Sequence, residues 1–369
     1  MRQFTIAVLP GDGIGPEVTA EAVGVLGTVA EVCDYRFATE EYLIGAAAVR
    51  ETGEALPART RDAVVNADAV LLGAVGDPSL TNAVGSRSPE GGLLALRQLL
   101  GVYANLRPVS LHPALRYASP LRPERLQDVD LLIVRELTGG LYYGEPRGRD
   151  ELSAVNTLQY SVSEIERVAR VGFETARRRR RIVTSVDKAN VLEVSQLWRE
   201  TVTRIGGDYP DVRLEHLYVD VAAMQLVSNP AAFDVLLTEN LFGDILSDEA
   251  AVLTGSLGLL PSASLGDGTG LFEPVHGSAP DIAGRNTANP IGAIASLAML
   301  LRFGLGLSEA ADMVETAIAA AIQGGVRTQD IAGSDDQPVG TREMGEIIAG
   351  HLLRSLPVGR GTGSATTDR

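Results

Sequence analysis

The alternation of short apolar runs and longer amphipathic stretches constrains the fold of this chain more than any other feature. The apolar runs have the length of buried strands and lie at positions 4–9, 69–74, 131–134, 182–185 and 235–238. Stretches with helical spacing of apolar residues lie at positions 17–29, 164–180, 191–203 and 242–254. This alternation predicts the α/β class. The chain has 369 residues. Because a single core stops growing at about 250–300 residues, two domains are expected.

Charge and cysteine content exclude several classes of protein. The formal net charge is −15, which disfavours nucleic-acid or polybasic membrane binding because phosphate-rich partners attract positive charge. Cys33 is the only cysteine, so an internal disulfide and a cysteine-based zinc site are excluded. The N-terminus has no signal-peptide pattern, and the apolar stretch at 290–301 is too short to span a bilayer. We therefore expect a cytoplasmic protein that binds neither nucleic acid nor membrane.

A glycine-rich turn at 11–16 follows the first predicted strand and resembles a dinucleotide-binding fingerprint. The fingerprint G-x-G-x-x-G requires its third glycine at position 16, where this chain has Pro16. A proline suits the first turn of a following helix. The turn therefore predicts a strand-to-helix connection outside the standard Rossmann fold, and any nicotinamide coenzyme has to bind elsewhere.

Three aspartates after predicted strands are candidates for a metal site. Asp244 and Asp248 follow the strand at 235–238, and their four-residue spacing places both on one face of a helix. Asp220 ends the strand-like run 217–220. Carboxylate oxygens are the ligands that Mg²⁺ and Mn²⁺ prefer. Taken alone, two acids at this spacing are more often solvated than metal-bound.

Basic residues near the predicted strands indicate an anionic substrate. Arg97, Arg107 and Arg135 can bind carboxylates in a bidentate way, although Arg135 could instead form a structural ion pair. Lys188 is the only lysine among 32 basic residues, and it lies at the junction of a strand and a helix. A lysine with a lowered pKa can act as a general base. Tyr142 is either a proton donor or a packing tyrosine.

Long motifs in the chain resemble the isocitrate/isopropylmalate dehydrogenase family of metal-dependent β-decarboxylating dehydrogenases. The resemblance extends from about Ile6 to Ile348. The motifs that carry it lie at positions 9–18, 103–108, 134–147, 185–191, 240–248, 255–263 and 273–282. Ungapped stretches of this length are far more specific than any single spacing.

The resemblance implies a two-domain fold with a central mixed sheet flanked by helices. Its first domain is discontinuous and comprises residues 1–102 plus 255–355, while residues 103–254 form the second, dimerising domain. Residues 356–369, which have no periodicity, are expected to be disordered. In this family the active sites of a homodimer are shared, so Lys188 and Asp220 are expected to act in the partner's site.

The resemblance also implies a reaction. The chain is expected to oxidise and decarboxylate (2R,3S)-3-isopropylmalate with NAD⁺, giving 4-methyl-2-oxopentanoate and CO₂ in leucine biosynthesis. Two catalytic residues are implied, Lys188 as the base and Tyr142 as the acid that protonates C3. The polar ligands of the substrate would be Arg97, Arg107, Arg135 and Asp220. The ligands of Mg²⁺ or Mn²⁺ would be Asp220, Asp244 and Asp248.

Specificity is the last property that the resemblance implies. Asp281 corresponds to a position at the adenosine ribose, where a carboxylate favours NAD⁺ over NADP⁺. The other expected coenzyme residues are Glu90, Glu273, His276, Gly277, Ser278, Ala279, Ile282 and Asn289. Leu93, Leu94 and Val191 would form an apolar pocket for the isopropyl group. Two alternatives remain open: a dehydrogenase for D-malate, tartrate or another 3-alkylmalate, and a non-catalytic relative.

Overall fold

The computed structural model describes residues 3–80, 83 and 85–354, so the predicted disordered segment 356–369 lies outside the described residues. The strands are β1 Gln3–Gly11, β2 Arg36–Glu41, β3 Ala69–Ala74, β4 Ala104–Ser110, β5 Asp130–Glu136, β6 Gly148–Arg149, β7 Ala154–Val155, β8 Ile182–Asp187, β9 Arg213–Tyr218, β10 Val235–Thr238, β11 Pro261–Leu265 and β12 Gly270–Pro274. The helices are α1 Gly15–Cys33, α2 Gly45–Thr52, α3 Ala58–Asn66, α4 Pro89–Leu100, α5 Val162–Arg177, α6 Glu193–Gly206, α7 Val219–Ser228, α8 Asn240–Ala251, α9 Ile291–Met299, α10 Ser308–Gln323 and α11 Thr341–Arg354.

One mixed sheet joins ten of these strands in the order β2-β1-β3-β12-β11-β4-β5-β10-β8-β9. Its pairs are parallel except for three consecutive antiparallel ones, β12/β11, β11/β4 and β4/β5. The first five strands in this order come from residues 3–74 and 261–274, and the other five come from residues 104–238. The five strands predicted from apolar runs are all confirmed, and so is the mixed α/β architecture.

The four predicted helices are also confirmed, with shifted ends. The helix predicted at 164–180 ends at Arg177, and the chain turns at Arg181, whose φ of 62° is left-handed. The turn lets Arg179 reach the buried carboxylate of Asp234 at 2.9 Å, a contact between residues 55 positions apart. Five consecutive arginines, at positions 177–181, therefore lie at the carboxyl end of α5 and just beyond it, and one of them is held by a tertiary ion pair that no local pattern predicts.

The glycine-rich turn is held in place by hydrogen bonds to other parts of the protein. The Asp12 carboxylate accepts hydrogen bonds from the backbone N–H groups of Ala46, Ala47 and Gly76, at 2.8–2.9 Å. It thereby occupies the N-terminus of α2, where a phosphate could otherwise bind. At Gly13, a Cβ atom would lie 1.9 Å from the carbonyl oxygen of Ser278, so only glycine fits. The turn thus packs directly on the loop after β12.

The apolar stretch at 290–301 forms α9, which is buried on almost every side. It packs against α1, α10, β11 and β12. A helix that is apolar all round suits the centre of a large core. Among the described residues, no helix is long and apolar enough to cross a membrane.

Candidate active site

Arg135 is the most deeply buried charge of a cluster that we call the arginine–aspartate cluster, formed by Arg107, Arg135, Asp244 and Asp248. Arg135 is 1% exposed, near the end of β5. Its Nη1 donates to Asp244 Oδ1 at 2.5 Å, and its Nη2 donates to Asn240 Oδ1 at 2.7 Å. Burial, together with repulsion from Arg107, lowers the pKa of Arg135 to about 10, so the side chain is still cationic at neutral pH.

Arg107 lies on β4, beside β5, and contacts both aspartates of the cluster. Its Nη1 donates to Ser247 Oγ at 2.6 Å and to Asp248 Oδ1 at 3.2 Å. Its Nη2 is 3.8 Å from Asp244 Oδ1. Arg107 reaches Asp244 and Asp248 together because they share one face of α8, which confirms the expectation from their spacing.

The two aspartates of the cluster respond differently to their surroundings. Burial tends to raise both pKa values. At Asp244, the attraction of Arg135 and the other cations and a hydrogen bond from Tyr142 outweigh burial, so the pKa is lowered. At Asp248, burial and repulsion from Asp244 outweigh the attraction of Arg107, so the pKa is raised. A bound cation would favour the ionised form of both carboxylates.

Tyr142 joins the cluster from the short 3₁₀ helix Gly140–Tyr142 after β5. Its hydroxyl donates to Asp244 Oδ2 at 2.7 Å, and the Arg135 guanidinium lies over its ring, 5.7 Å from the centroid. Burial and the hydrogen bond to Asp244 raise the pKa of Tyr142 to about 12. The phenol therefore keeps its proton at neutral pH, as a proton donor must.

Arg97, on α4, forms a buried ion pair with Glu273, on β12. Its Nη2 donates to Glu273 Oε1 at 2.9 Å. Burial alone would lower the pKa of Arg97, but the Glu273 carboxylate more than offsets it, and the pKa is raised. The Nε of Arg97 is buried and has no hydrogen-bond partner among the residues that the structure describes. That donor is available to an anionic ligand, so the residues present fit a carboxylate substrate.

Lys188 and Asp220 form a second, separate pair. Lys188 Nζ donates to Asp220 Oδ1 at 2.5 Å, and this hydrogen bond lowers the pKa of Asp220. Within the described part of the chain, the hydrogen bonds and ion pairs of these two side chains do not reach the arginine–aspartate cluster. The same residues contain no group of three acidic, histidine or cysteine side chains placed to hold a metal ion. In the described chain, two of the three predicted metal ligands, Asp244 and Asp248, thus lie together, while the third, Asp220, pairs with Lys188 instead.

The loop after β12 gathers most of the predicted coenzyme residues. The Ser278 carbonyl accepts a hydrogen bond from the backbone N–H of Ile14 at 2.8 Å, which fixes the loop against the glycine-rich turn. His276 Nδ1 lies 2.9 Å from the Gly277 carbonyl oxygen, while its Nε2 is buried and unpartnered within the described part of the chain. Burial lowers the pKa of His276, so the ring is neutral at neutral pH. An orphaned ring nitrogen in this loop fits a polar ligand such as an adenine.

The remaining predicted coenzyme residues border the same region. Ala279 has a left-handed φ of 38°, Asp281 is exposed, and Ile282 is half-buried. Asn289 is buried and donates to Asp330 Oδ2 at 3.0 Å. Glu90 and Ser278 both lie beside Gly76. A Cβ atom built on Gly76 would be 3.4 Å from Glu90 Oε1 and 3.7 Å from Ser278 Oγ.

The predicted apolar pocket is divided between two places. Leu93 and Leu94 are half-buried on α4, one turn before Arg97. Val191 is 66% exposed, and its N–H donates to the Lys188 carbonyl at 3.0 Å. Val191 therefore lies beside Lys188, and any arrangement that places Lys188 in the partner's site also places Val191 there.

Sequence reasoning missed a buried network behind the cluster. The Glu136 carboxylate accepts from the Tyr160 hydroxyl at 3.0 Å and from the Gly139 N–H at 2.8 Å. The Tyr160 hydroxyl accepts from the Asn240 N–H at 3.0 Å, and the Asn240 side chain binds Arg135. The only local signal was a polar residue at the carboxyl end of each of two buried strands, Glu136 at the end of β5 and Asn240 shortly after β10. Tyr160 and Asn240 are 80 positions apart in the chain.

The structure is an α/β protein in which two buried arginines and two aspartates lie together beside the central sheet. The model of the isocitrate/isopropylmalate dehydrogenase family matches residues 5–348. The chain therefore belongs to the isocitrate/isopropylmalate dehydrogenase family, as its motifs indicated.

Individual relatives cover nearly the whole chain. A 3-isopropylmalate dehydrogenase of Salinibacter ruber is 57% identical over 96% of this chain and 97% of its own length. One of Synechocystis is 55% identical over 94% of this chain and 98% of its own length. Among solved structures, an isocitrate dehydrogenase from Methylococcus capsulatus is 36% identical, with a TM-score of 0.85 over 95% of this chain and 99% of that one.

Proposed function

We propose that this protein is an NAD⁺-dependent 3-isopropylmalate dehydrogenase that oxidises and decarboxylates its substrate to 4-methyl-2-oxopentanoate. The observation that carries the proposal is the arginine–aspartate cluster with Tyr142 hydrogen-bonded to it. Its support from relatives is that 3-isopropylmalate dehydrogenases match this chain at 52–57% identity over almost its full length.

Substrate binding is assigned to the three arginines. Arg97, Arg107 and Arg135 would hold the two malate carboxylates, and charge-assisted hydrogen bonds of this kind contribute about 1.5–3 kcal/mol each. The half-buried Leu93 and Leu94 lie one turn away from Arg97 and would contact the isopropyl group. An apolar side of the site disfavours the third carboxylate of isocitrate, which would be buried there without a cation.

Two groups of the chain would move protons. Lys188, held by Asp220, would accept the proton of the C2 hydroxyl, and Tyr142 would donate a proton to C3 after CO₂ has left. When bound, NAD⁺ supplies the hydride acceptor, and Mg²⁺ or Mn²⁺ on Asp220, Asp244 and Asp248 supplies a Lewis acid. The carboxylate oxygens of the three aspartates are suitable ligands for such a hard cation.

We also propose a homodimer in which each site takes Lys188, Asp220 and Val191 from the partner. The support is their separation from the cluster, together with exposed apolar side chains on the elements that carry both groups. Met224 and Val227 on α7 are 62% and 46% exposed, and Ile245 on α8 is 57% exposed. Isolated exposed apolar residues are common, but several on adjacent helices indicate an interface.

The proposed domains follow the order of strands in the sheet. Residues 1–102 plus 255–355 would form the first domain, and residues 103–254 the second. The two groups of five strands meet at the β11/β4 pair, with Ala263 opposite Leu106. Arg97 and the coenzyme loop would then belong to the first domain, and the arginine–aspartate cluster to the second. A cytoplasmic location remains a prediction from the sequence.

Substrate preference is tested by measuring NADH formation with Mg²⁺, NAD⁺ and either 3-isopropylmalate, D-malate or isocitrate. We expect the highest kcat/KM with 3-isopropylmalate, by at least about tenfold, since each buried methylene contributes about 1–3 kcal/mol. EDTA should abolish turnover, and added Mg²⁺ should restore it. A higher kcat/KM with D-malate would favour the alternative enzyme, and no turnover with any of the three would contradict the proposal.

Coenzyme preference is tested in the same assay with NADP⁺ in place of NAD⁺. The exposed Asp281 carboxylate would accept hydrogen bonds from the ribose hydroxyls and repel a 2′-phosphate. We expect kcat/KM to be at least about tenfold lower with NADP⁺, and Asp281→Ala to reduce this difference. Equal kcat/KM values with both coenzymes in the unaltered protein would remove Asp281 from the argument.

A further inference from the structure

Lys188 and Asp220 lie just beyond the ends of two neighbouring strands. β8 ends at Asp187 and β9 ends at Tyr218, and these two residues are partners in the last register of the β8/β9 pair. The positions of the backbone at Asp187 and Tyr218 therefore determine the positions of Lys188 and Asp220, which follow them in the chain. Lys188 is long and partly exposed, so its ammonium group needs support to hold one position.

Arg199, on α6, contacts both strand ends with one guanidinium group. Its Nε donates to Asp187 Oδ2 at 2.8 Å, and its Nη2 donates to Asp187 Oδ1 at 2.9 Å. Its guanidinium carbon lies 5.1 Å from the centroid of the Tyr218 ring. A bidentate pair and a stacked aromatic ring together require the planar geometry that arginine has and lysine lacks.

The carboxylate that Arg199 binds is buried, and it belongs to Asp187, the residue immediately before Lys188. Asp187 is 1% exposed, and its Oδ1 also accepts a hydrogen bond from the Ala189 N–H at 3.0 Å. Asp187 therefore binds the residue on the far side of Lys188, so the backbone of Lys188 is held from both sides. The Lys188 carbonyl in turn accepts from the N–H groups of Val191 and Leu192, both at 3.0 Å.

We propose that Arg199 is a positioning residue that holds Lys188 and Asp220 in the geometry required for proton transfer. This inference rests on the proposed function, because it takes Lys188 as the base. Arg199 acts through Asp187 and Tyr218 and needs no contact with substrate. Loss of the guanidinium removes both hydrogen bonds from Arg199 to the buried Asp187 carboxylate. The turn that carries Lys188 is then no longer held in one position through Asp187.

The experiment compares Arg199→Ala and Arg199→Lys with a control on the same helix, Arg204→Ala. Arg204 pairs with Glu166, and its side chain is 54% exposed, so the control removes a surface ion pair. For Arg199→Ala we expect kcat with 3-isopropylmalate to fall by about 100-fold, since a displacement of about 1 Å has that effect. KM should change much less than kcat, because the three substrate-binding arginines are untouched and only Asp220 is displaced.

Chemical rescue separates positioning from general stability. Millimolar guanidinium should restore part of the kcat of Arg199→Ala, while Arg199→Lys should remain low and Arg204→Ala should match the unaltered enzyme. If Arg199→Ala does not give a folded dimer, Arg199→Gln takes its place, since it retains a side-chain donor. An unchanged kcat in the folded variant, or a loss that guanidinium does not restore, overturns the inference. Absence of turnover in the unaltered enzyme would instead contradict the proposed function.

Discussion

Lys188→Met is expected to lower kcat by about 10²–10⁴-fold, the usual contribution of a general base. The substitution removes the only lysine of the chain and the hydrogen bond to Asp220. Because the pair is partly exposed, its loss should leave the fold and the dimer intact. The measurement is the steady-state rate of NADH formation, with dimerisation followed by sedimentation.

Lys188→Arg is the matched control that separates proton transfer from charge. Arginine keeps the positive charge and can still pair with Asp220, but it does not give up its proton near neutral pH. We expect Lys188→Arg to be nearly as inactive as Lys188→Met. A substantial kcat in the arginine variant would mean that position 188 contributes charge rather than a base.

Asp244→Asn is expected to lower kcat by on the order of 100-fold or more, since the Lewis-acid contribution of a metal is several kcal/mol. Asp244 binds the Arg135 guanidinium and the Tyr142 hydroxyl and lies 3.8 Å from Arg107 Nη2, so the loss of its charge affects three groups at once. The variant should also need a higher Mg²⁺ concentration for half-maximal activity. Mg²⁺ titrations of the rate would measure both effects.

Asp312→Asn provides the control for Asp244→Asn. Asp312 pairs with Arg302 at 2.9 Å, and its side chain is 65% exposed, so it is an acid of an exposed ion pair outside the cluster. Its substitution should leave kcat and the Mg²⁺ dependence unchanged. If Asp244→Asn behaved in the same way, the arginine–aspartate cluster would have no part in metal binding.

The sequence predicted most of the fold because the strands that it predicts are mostly buried on both faces. β3 and β10 are almost wholly apolar, and β5 contains the apolar run 131–134; such runs are recognisable without knowledge of their neighbours. The order of the strands was not predictable in this way. The antiparallel β11/β4 pair joins residues that are far apart in the chain, such as Asn105 and Ser264, whose side chains are hydrogen-bonded across 159 positions.

The candidate site was predictable in its residue types but not in its contacts. The spacing of Asp244 and Asp248 predicted their common face, and the motifs indicated Tyr142. The ion pair of Arg97 with Glu273 joins residues 176 positions apart, and no local pattern reports it. The same holds for Asn240, whose side chain orients Arg135 from the N-terminus of α8.

The central claim is that each active site combines two subunits, and a mixed dimer tests it most directly. One chain carries Lys188→Met and the other Asp244→Asn, and two different affinity tags allow the mixed dimer to be purified. If the sites are shared, one of them receives both an intact Asp244 and an intact Lys188, while the other receives both substitutions. The mixed dimer should then have about half the kcat of the unaltered dimer, although each parent is nearly inactive. If each site is built from one chain, both sites are damaged, and a mixed dimer as inactive as its parents would contradict the account.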